Sequence, residues 1–126
     1  MASTASAASC SGNGCNGLDP VATGCSNGAY TVLSGSYAGG TLELRWGPDC
    51  QTNWARFTPA DHAPYSIWVT RLSDGEWAGA GLEHVYTFSN GSGVGHYSDQ
   101  VYSPGPASAC VQSPQHGGQY CISQQS

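Results

Sequence analysis

The chain has 126 residues, enough for one domain, and carries a formal net charge of −5 from three arginines and eight acidic residues. Charged residues make up 9% of the sequence, roughly a third of their share in an ordinary soluble domain. Nucleic acids and anionic membranes bind clustered Lys and Arg, so this composition argues against both as partners. No apolar run approaches the ~20 residues that span a bilayer, so we expect no membrane insertion.

The amino-terminal segment at 1–9 is small and polar, which predicts a disordered tail before a single disulfide-stabilised domain at 10–126. The tail lacks the apolar stretch of a secretion signal. We therefore interpret the chain as a mature secreted protein that begins at Met1 for expression.

The strand pattern begins after a coil that ends near Gly28. No helical period persists, and short alternating runs are separated by Gly, Pro, Asn and Ser. This pattern predicts an all-β fold, a small antiparallel sandwich or barrel of seven to eight short strands with a disulfide-tied amino-terminal coil. The predicted strands lie at 29–34, 41–46, 53–58 (or a single helical turn), 65–72, 82–88, 96–102, 109–112 and 119–122.

Six cysteines predict three disulfides and an extracellular location, because such bonds form outside the reducing cytosol. We favour a bond between Cys110 and Cys121 across the last hairpin, with the other four cysteines pairing among themselves in an undefined order. Their spacing does not repeat the two-by-two pattern of a zinc site, so we expect no metal. The other four are Cys10, Cys15, Cys25 and Cys50.

Three motifs carry a resemblance to a known family: CxxxxCNGLDPxxxxC at 10–25, ELRW at 43–46 and CxxxWAR at 50–56. The chain resembles the secreted bacterial family of domains of unknown function numbered twenty-six-ninety, most specifically over 10–72. The segments YSDQV and ACV are similar in position to the family's closing strands. The resemblance implies an exported bacterial protein, or the outer part of a membrane-tethered regulator, and implies no activity. Cys121, Trp68 and Trp77 lie beyond the pattern.

Arg45 and Arg56 are candidate anion-binding residues. If the strands at 41–46 and 53–58 pair antiparallel, both arginines lie near one face with Glu43 between them. A guanidinium fork binds carboxylate or phosphate groups bidentately. We favour the alternative, a structural ion pair.

The only conceivable catalytic or metal cluster consists of His84 and His96 with Glu83 and Asp99 nearby, on predicted neighbouring strands. Histidine ligands need a third partner and a fixed second shell, and the sequence holds no GxSxG nucleophile elbow. We therefore expect two solvent-edge histidines, no catalytic residue and no cofactor.

Aromatic residues are the stronger candidates for binding. Trp68 alternates with Ile67 and Val69 and should face away from them. Flat amphipathic rings bind a sugar ring or a partner protein at low entropic cost, which predicts an exposed platform. The alternative, which we favour, is that a two-layer sandwich covers both faces. The predicted platform consists of Tyr65, Trp68, Trp77, Tyr97 and Tyr102.

Our first functional hypothesis is a secreted, non-enzymatic binding module at the cell envelope or in the medium, with an extracellular protein or polysaccharide as its partner. The second is a protease inhibitor that presents a rigid loop, such as 89–95 or 115–119. The third is a small hydrolase. The sequence defines neither the ligand nor the oligomeric state.

Overall fold

The structure, a computed structural model that describes residues 8–79, 86–89 and 93–124, confirms an all-β fold. Two antiparallel five-stranded sheets pack face to face as a sandwich. None of the described residues forms a helix long and apolar enough to cross a membrane. The described strands are β1 (Tyr30–Tyr37), β2 (Gly40–Gly47), β3 (Thr52–Thr58), β4 (Tyr65–Arg71), β5 (Trp77–Ala78), β6 (Tyr86–Phe88), β7 (His96–Tyr97), β8 (Val101–Tyr102), β9 (Ala107–Gln112) and β10 (Gln119–Gln124).

The first sheet has the order β1-β2-β3, and both β7 and β8 pair with the far edge of β3. The β1–β2 hairpin closes through Ala38 and Gly39, whose φ angles of 53° and 80° belong to the left-handed region. A two-residue hairpin turn with positive φ at both central positions has the same twist as the two strands that it connects. The second sheet has the order β10-β9-β4, and both β5 and β6 pair with β4.

The core lies between the sheets and follows the alternation of their strands. Leu42 and Leu44 of β2, with Phe57 of β3, face Ile67 and Val69 of β4, and all five are 0% exposed. Successive side chains of a strand point to opposite faces of the sheet. The residues that alternate with these five therefore lie on the outer surfaces of the sandwich.

Most predicted strands are confirmed with small changes at their ends. The segment at 53–58 forms a strand, not a helical turn, because β3 pairs along its whole length with β2. Of the predicted strand at 82–88, only β6 falls on described residues.

The predicted single strand at 96–102 is wrong, since it consists of the two short strands β7 and β8. Between them Ser98 stays on β3, with its N–H donating to the Ala55 carbonyl at 2.8 Å, whereas the next two residues bind elsewhere. The Asp99 N–H donates to the Gly79 carbonyl, and the Gln100 N–H donates to the Leu18 carbonyl at 3.1 Å. The irregular amino-terminal coil therefore replaces part of the expected strand pairing.

Three disulfides join Cys10 to Cys15, Cys25 to Cys50, and Cys110 to Cys121. The third connects β9 and β10 and is the pair that the sequence favours. A short 3-10 helix at Gly12–Cys15 lies within the loop that the first disulfide closes.

The Cys25–Cys50 disulfide holds the coil against the first sheet. The coil approaches β2 so closely that a Cβ atom on Gly47 would collide with the Cys25 carbonyl and the Trp54 indole. Trp54 is only 4% exposed, although its neighbours Ala55 and Phe57 point to the opposite side, into the core. The coil therefore covers part of the outer surface of the first sheet.

Arg71, at the end of β4, ties the coil to both sheets. Its Nη1 donates to the Asn13 side-chain oxygen at 2.6 Å and to the Tyr102 carbonyl at 2.7 Å. Its Nε and Nη2 donate to the two carboxylate oxygens of Asp74, at 2.9 and 2.8 Å. With these four hydrogen bonds, Arg71 acts as a structural residue.

The Asp74 carboxyl should titrate with a midpoint of about 2, because the hydrogen bonds from Arg71, followed by that from the Glu76 N–H, lower its pKa to that value. Since the folded-state pKa lies below the unfolded one, the stabilisation from this group is present above about pH 4 and is lost as the pH falls through 2. Carbon-detected NMR titration of the carboxyl measures the midpoint. Arg71→Gln should return it toward the ordinary value, and a wild-type midpoint near 4 would contradict this assignment.

Candidate binding face

Trp68 lies on the outer surface of the second sheet, as the sequence predicts. Its neighbours Ile67 and Val69 are fully buried, whereas Trp68 is half-buried and points the other way. In the register of the sheet, Trp68 lies opposite Cys110, which in turn lies opposite Cys121. The tryptophan and the disulfide therefore share one row across three strands.

The outward positions of the described strands in this sheet carry no charged side chain, and we call this surface the neutral face. It consists of hydroxyl, amide and indole groups together with the Cys110–Cys121 disulfide, of which Ser108 and Cys110 are themselves buried. The alternation and register of the strands assign to it Ser66, Trp68, Thr70, Trp77, Thr87, Ser108, Cys110, Gln112, Gln119, Cys121 and Ser123.

Trp77 joins Trp68 on the neutral face because β5 pairs with β4 so that Trp77 lies opposite Thr70. The two indole rings have centroids 6.4 Å apart and planes at 76° to each other. Both side chains are half-buried. The pair thus forms a corner, with the two rings meeting edge to face.

Tyr65 is not part of an exposed platform, and that prediction is wrong. Tyr65 is 0% exposed, with its ring centroid 4.8 Å from that of Phe57. Its hydroxyl donates to the Asp61 carboxylate at 2.6 Å. Burial, with the hydrogen bond to Asp61 and the charge of that group, raises the pKa of Tyr65. Because Tyr65 alternates in phase with Ile67, it belongs to the core.

Tyr97 and Tyr102 lie on the first sheet, away from the neutral face. Tyr97 is 36% exposed, and its hydroxyl donates to the Asp19 carboxylate at 3.3 Å. Burial and the nearby Asp19 charge raise the pKa of Tyr97. The platform predicted as one surface is therefore divided between the two sheets, and only Trp68 and Trp77 remain together.

Arg45 and Arg56 lie on the outer surface of the first sheet. Arg56 binds Glu43 bidentately, through Nε at 2.7 Å and Nη2 at 3.1 Å. Arg45 donates at 2.8 Å to the Thr31 hydroxyl, which itself donates to Glu43 at 2.8 Å. The arginine fork that an anion would need is thus occupied by Glu43, and the structure contains the ion pair that we favoured.

The pKa of Glu43 reflects these contacts. Burial alone would raise it, but hydrogen bonds from Arg56 and Thr31 and the charges of Arg56 and Arg45 outweigh burial, so the pKa lies below its ordinary value. The carboxylate is therefore ionised at neutral pH and balances one arginine.

His96 and Asp99 line a cleft of about 530 Å³ between the coil and β7. The imidazole stacks on Phe88 with ring centroids 3.8 Å apart, and its Nδ1 lies 3.0 Å from the Tyr86 hydroxyl. Glu83 and His84, the other members of the predicted cluster, lie outside the described residues. The cleft brings together polar groups, but the part of it that the structure describes contains no serine or cysteine nucleophile.

The two loops proposed for protease inhibition differ in how much of them is described. Positions 90–92 of the first lie outside the described residues. The second is held by the Tyr37 hydroxyl, which donates to the carbonyls of Gly117 at 3.0 Å and Gly118 at 3.2 Å. His116 of the same loop lies 2.8 Å from the Asp61 carboxylate.

The hydroxyl and amide side chains around the tryptophans are the part of the neutral face that our sequence reasoning missed. Ser66 and Thr87, for example, share a hydrogen bond of 2.9 Å across neighbouring strands. The available signal was the lack of charge at every second position of 66–70, 108–112 and 119–123.

Together these features define a disulfide-linked antiparallel β-sandwich with one charge-free, tryptophan-bearing sheet surface. The chain belongs to the family described as Protein of unknown function (DUF2690), whose model matches residues 13–110. The family resemblance carried by the cysteine and ELRW motifs is thereby confirmed. No curated protein and no solved structure matches the chain significantly.

Proposed function

We propose that this protein is a secreted, non-enzymatic binding module whose neutral face binds a neutral polysaccharide. The observation that carries the proposal is the pair Trp68 and Trp77, 6.4 Å apart on a sheet surface whose described outward positions bear no charge. Three disulfides are compatible with work outside the cell, where long polysaccharides are found.

The corner formed by the two indoles suits a sugar ring. A pyranose has an apolar C–H face, which stacks on an aromatic ring, and hydroxyl groups around its edge. One indole of the pair supports the C–H face while the other, turned by 76°, packs against the edge of the sugar. Both rings are held by strands, so little side-chain entropy is lost on binding.

The hydroxyl and amide groups beside the indoles supply hydrogen bonds to sugar hydroxyls. Thr70 offers one hydroxyl donor and two acceptor lone pairs, and Gln112 offers an amide donor and a carbonyl acceptor. Ser66 and Thr87 use one hydroxyl proton in their mutual hydrogen bond, which leaves one donor and further lone pairs for a sugar. Ser66 lies opposite Thr87 on one side and Gln112 on the other, so these three form a row across neighbouring strands at intervals of about 4.8 Å. A flat surface of this kind fits an extended chain better than a small enclosed ligand.

The lack of charge on the neutral face selects among polysaccharides. The charged groups of an anionic glycan would lose hydrating water on binding, and the neutral face has no cation to pair with them. This loss of hydration opposes binding. The guanidinium of Arg56 is paired with Glu43 on the other sheet, and Arg71 is paired with Asp74 at the sheet end. A neutral glycan meets no such cost.

Sedimentation tests the proposal with insoluble peptidoglycan as a charged comparison, because its peptides carry carboxylates, and with the neutral polysaccharides chitin and cellulose. We expect the wild-type protein to bind at least one of these, and Trp68→Ala or Trp77→Ala to weaken that binding about tenfold to thirtyfold, as expected for loss of a central aromatic contact. Tyr30→Ala is the matched control, because Tyr30 is an aromatic residue 55% exposed on the first sheet.

Two outcomes would contradict the proposal. One is wild-type affinity in the Trp68→Ala variant, and the other is an equal loss in Tyr30→Ala. Binding should also change little with NaCl concentration, because no ion pair takes part. Strong weakening by salt would instead indicate an anionic ligand and the arginines of the first sheet.

A further inference from the structure

Two of the disulfides form a single four-sulfur cluster. The Sγ atoms of Cys10, Cys15, Cys25 and Cys50 all lie within 4.8 Å of one another. Cys10 Sγ lies 3.5 Å from Cys25 Sγ, although each is bonded to a different partner. Cys10 precedes the 3-10 helix and Cys15 ends it, while Cys25 lies in the coil and Cys50 in the β2–β3 turn.

The size of the cluster matches a tetrahedral metal site. Zinc binds thiolates at about 2.3 Å, which places neighbouring sulfurs of a tetrahedron about 3.8 Å apart. The contact between Cys10 and Cys25 is already close to that separation, and no pair exceeds it by more than about 1 Å. Reduction breaks the Cys10–Cys15 and Cys25–Cys50 bonds, so the sulfurs of each pair can also move apart to about 3.8 Å.

The surroundings suit a buried thiolate site. Cys15 and Cys25 are 0% exposed and Cys50 is 6% exposed, so water has little access to their sulfurs. The fully buried Gln100 points its amide nitrogen toward Cys10 Sγ at 4.0 Å, where it can donate to a thiolate. Donors of this kind stabilise metal-bound thiolates from outside the ligand sphere.

We infer that these four cysteines bind one zinc ion in a tetrahedral tetrathiolate site when the chain is reduced. Two equivalents of a phosphine and two of water reduce the two disulfides to four thiols, and the phosphine leaves as two equivalents of phosphine oxide. Zinc then replaces the four thiol protons, which are released to the buffer. The ion holds together the segments that the two disulfides hold in the oxidised chain, so the coil stays on the sheet in both redox states.

Zinc was not expected from the sequence, because the cysteine spacing does not repeat a two-by-two pattern. The fold, not the spacing, brings the four sulfurs together. The inference is independent of polysaccharide binding, since the cluster lies at the coil on the first sheet and the neutral face belongs to the second.

The test is a metal titration of the full chain, reduced with tris(2-carboxyethyl)phosphine under anaerobic conditions. We expect one Co²⁺ per chain, with the visible absorption bands of tetrahedral tetrathiolate cobalt, and stoichiometric displacement by Zn²⁺. The oxidised chain should bind none. If the reduced metal-free chain loses its near-ultraviolet circular dichroism, Zn²⁺ should restore that signal.

Two double variants make the test specific. Replacing Cys10 and Cys15 with serine keeps the Cys25–Cys50 bond in the oxidised chain but leaves only two thiolates in the cluster after reduction, so metal affinity should fall more than about a hundredfold. Replacing Cys110 and Cys121 with serine is the control and should leave one metal per chain. The inference is overturned if the reduced wild-type chain binds no cobalt, if Zn²⁺ fails to restore a lost signal, or if the first double variant binds as tightly as the wild type.

Discussion

Phe57→Ala should lower the free energy of unfolding by about 3–5 kcal/mol, the largest loss that we expect from a single substitution. Phe57 is 0% exposed, and its ring packs against Tyr65 with centroids 4.8 Å apart and against Tyr37 at 6.3 Å. A Cβ atom on Gly40 would collide with the Phe57 ring, so backbone also lies against it. A cavity bordered by strand backbone and two fixed aromatic rings cannot collapse readily.

Guanidinium unfolding with the disulfides intact measures this loss. Tyr30→Ala serves as the control for removing an aromatic ring from a strand, because Tyr30 is 55% exposed, and its effect should stay within about 0.5 kcal/mol. A loss below about 1 kcal/mol for Phe57→Ala would show that the two sheets are not packed around this ring.

Replacing both Cys25 and Cys50 with serine should lower the free energy of unfolding by about 3.5 kcal/mol. The disulfide joins residues 25 positions apart, and without it the unfolded chain gains the entropy of an open loop. The coil also loses its bond to the β2–β3 turn. We therefore expect Trp54, now 4% exposed beneath the coil, to become accessible to a soluble fluorescence quencher.

The matched control removes the shorter disulfide, with serine at Cys10 and Cys15. Those residues are only 5 positions apart, so the expected loss is about 2 kcal/mol. Trp54 should stay protected in this variant, because Cys25 and Cys50 still hold the coil. Equal losses for the two double variants, with Trp54 protected in both, would contradict the role assigned to the Cys25–Cys50 bond.

The regular part of the fold was predictable because its strands obey simple rules. In β2, Leu42 and Leu44 alternate with Glu43 and Arg45, and the pattern correctly predicted a strand with one buried side. The break between β7 and β8 was not predictable. It arises because Gln100 pairs with an irregular coil, and a coil shaped by disulfides has no periodicity that sequence reasoning can detect.

The candidate site was predicted only in part. Alternation correctly placed Trp68 outside, and the same alternation with Ile67 and Val69 places Tyr65 inside, a consequence that our platform hypothesis overlooked. The contact between Trp68 and Trp77 depends on the register of β4 with β5, which a turn signal suggests but does not define. To predict that Tyr97 lies apart from Trp68 and Trp77, one would need to know which strands share a sheet.

The neutral face is the central claim, and the indole N–H signals of a nitrogen-15 NMR spectrum test it most directly. We would titrate the protein with soluble oligomers of N-acetylglucosamine and of β-linked glucose. The Trp68 and Trp77 signals should shift with one of these ligands, while the signal of Trp54, buried under the coil on the other sheet, should stay in place. Unchanged Trp68 and Trp77 signals with a ligand that the protein demonstrably binds would contradict binding at the neutral face.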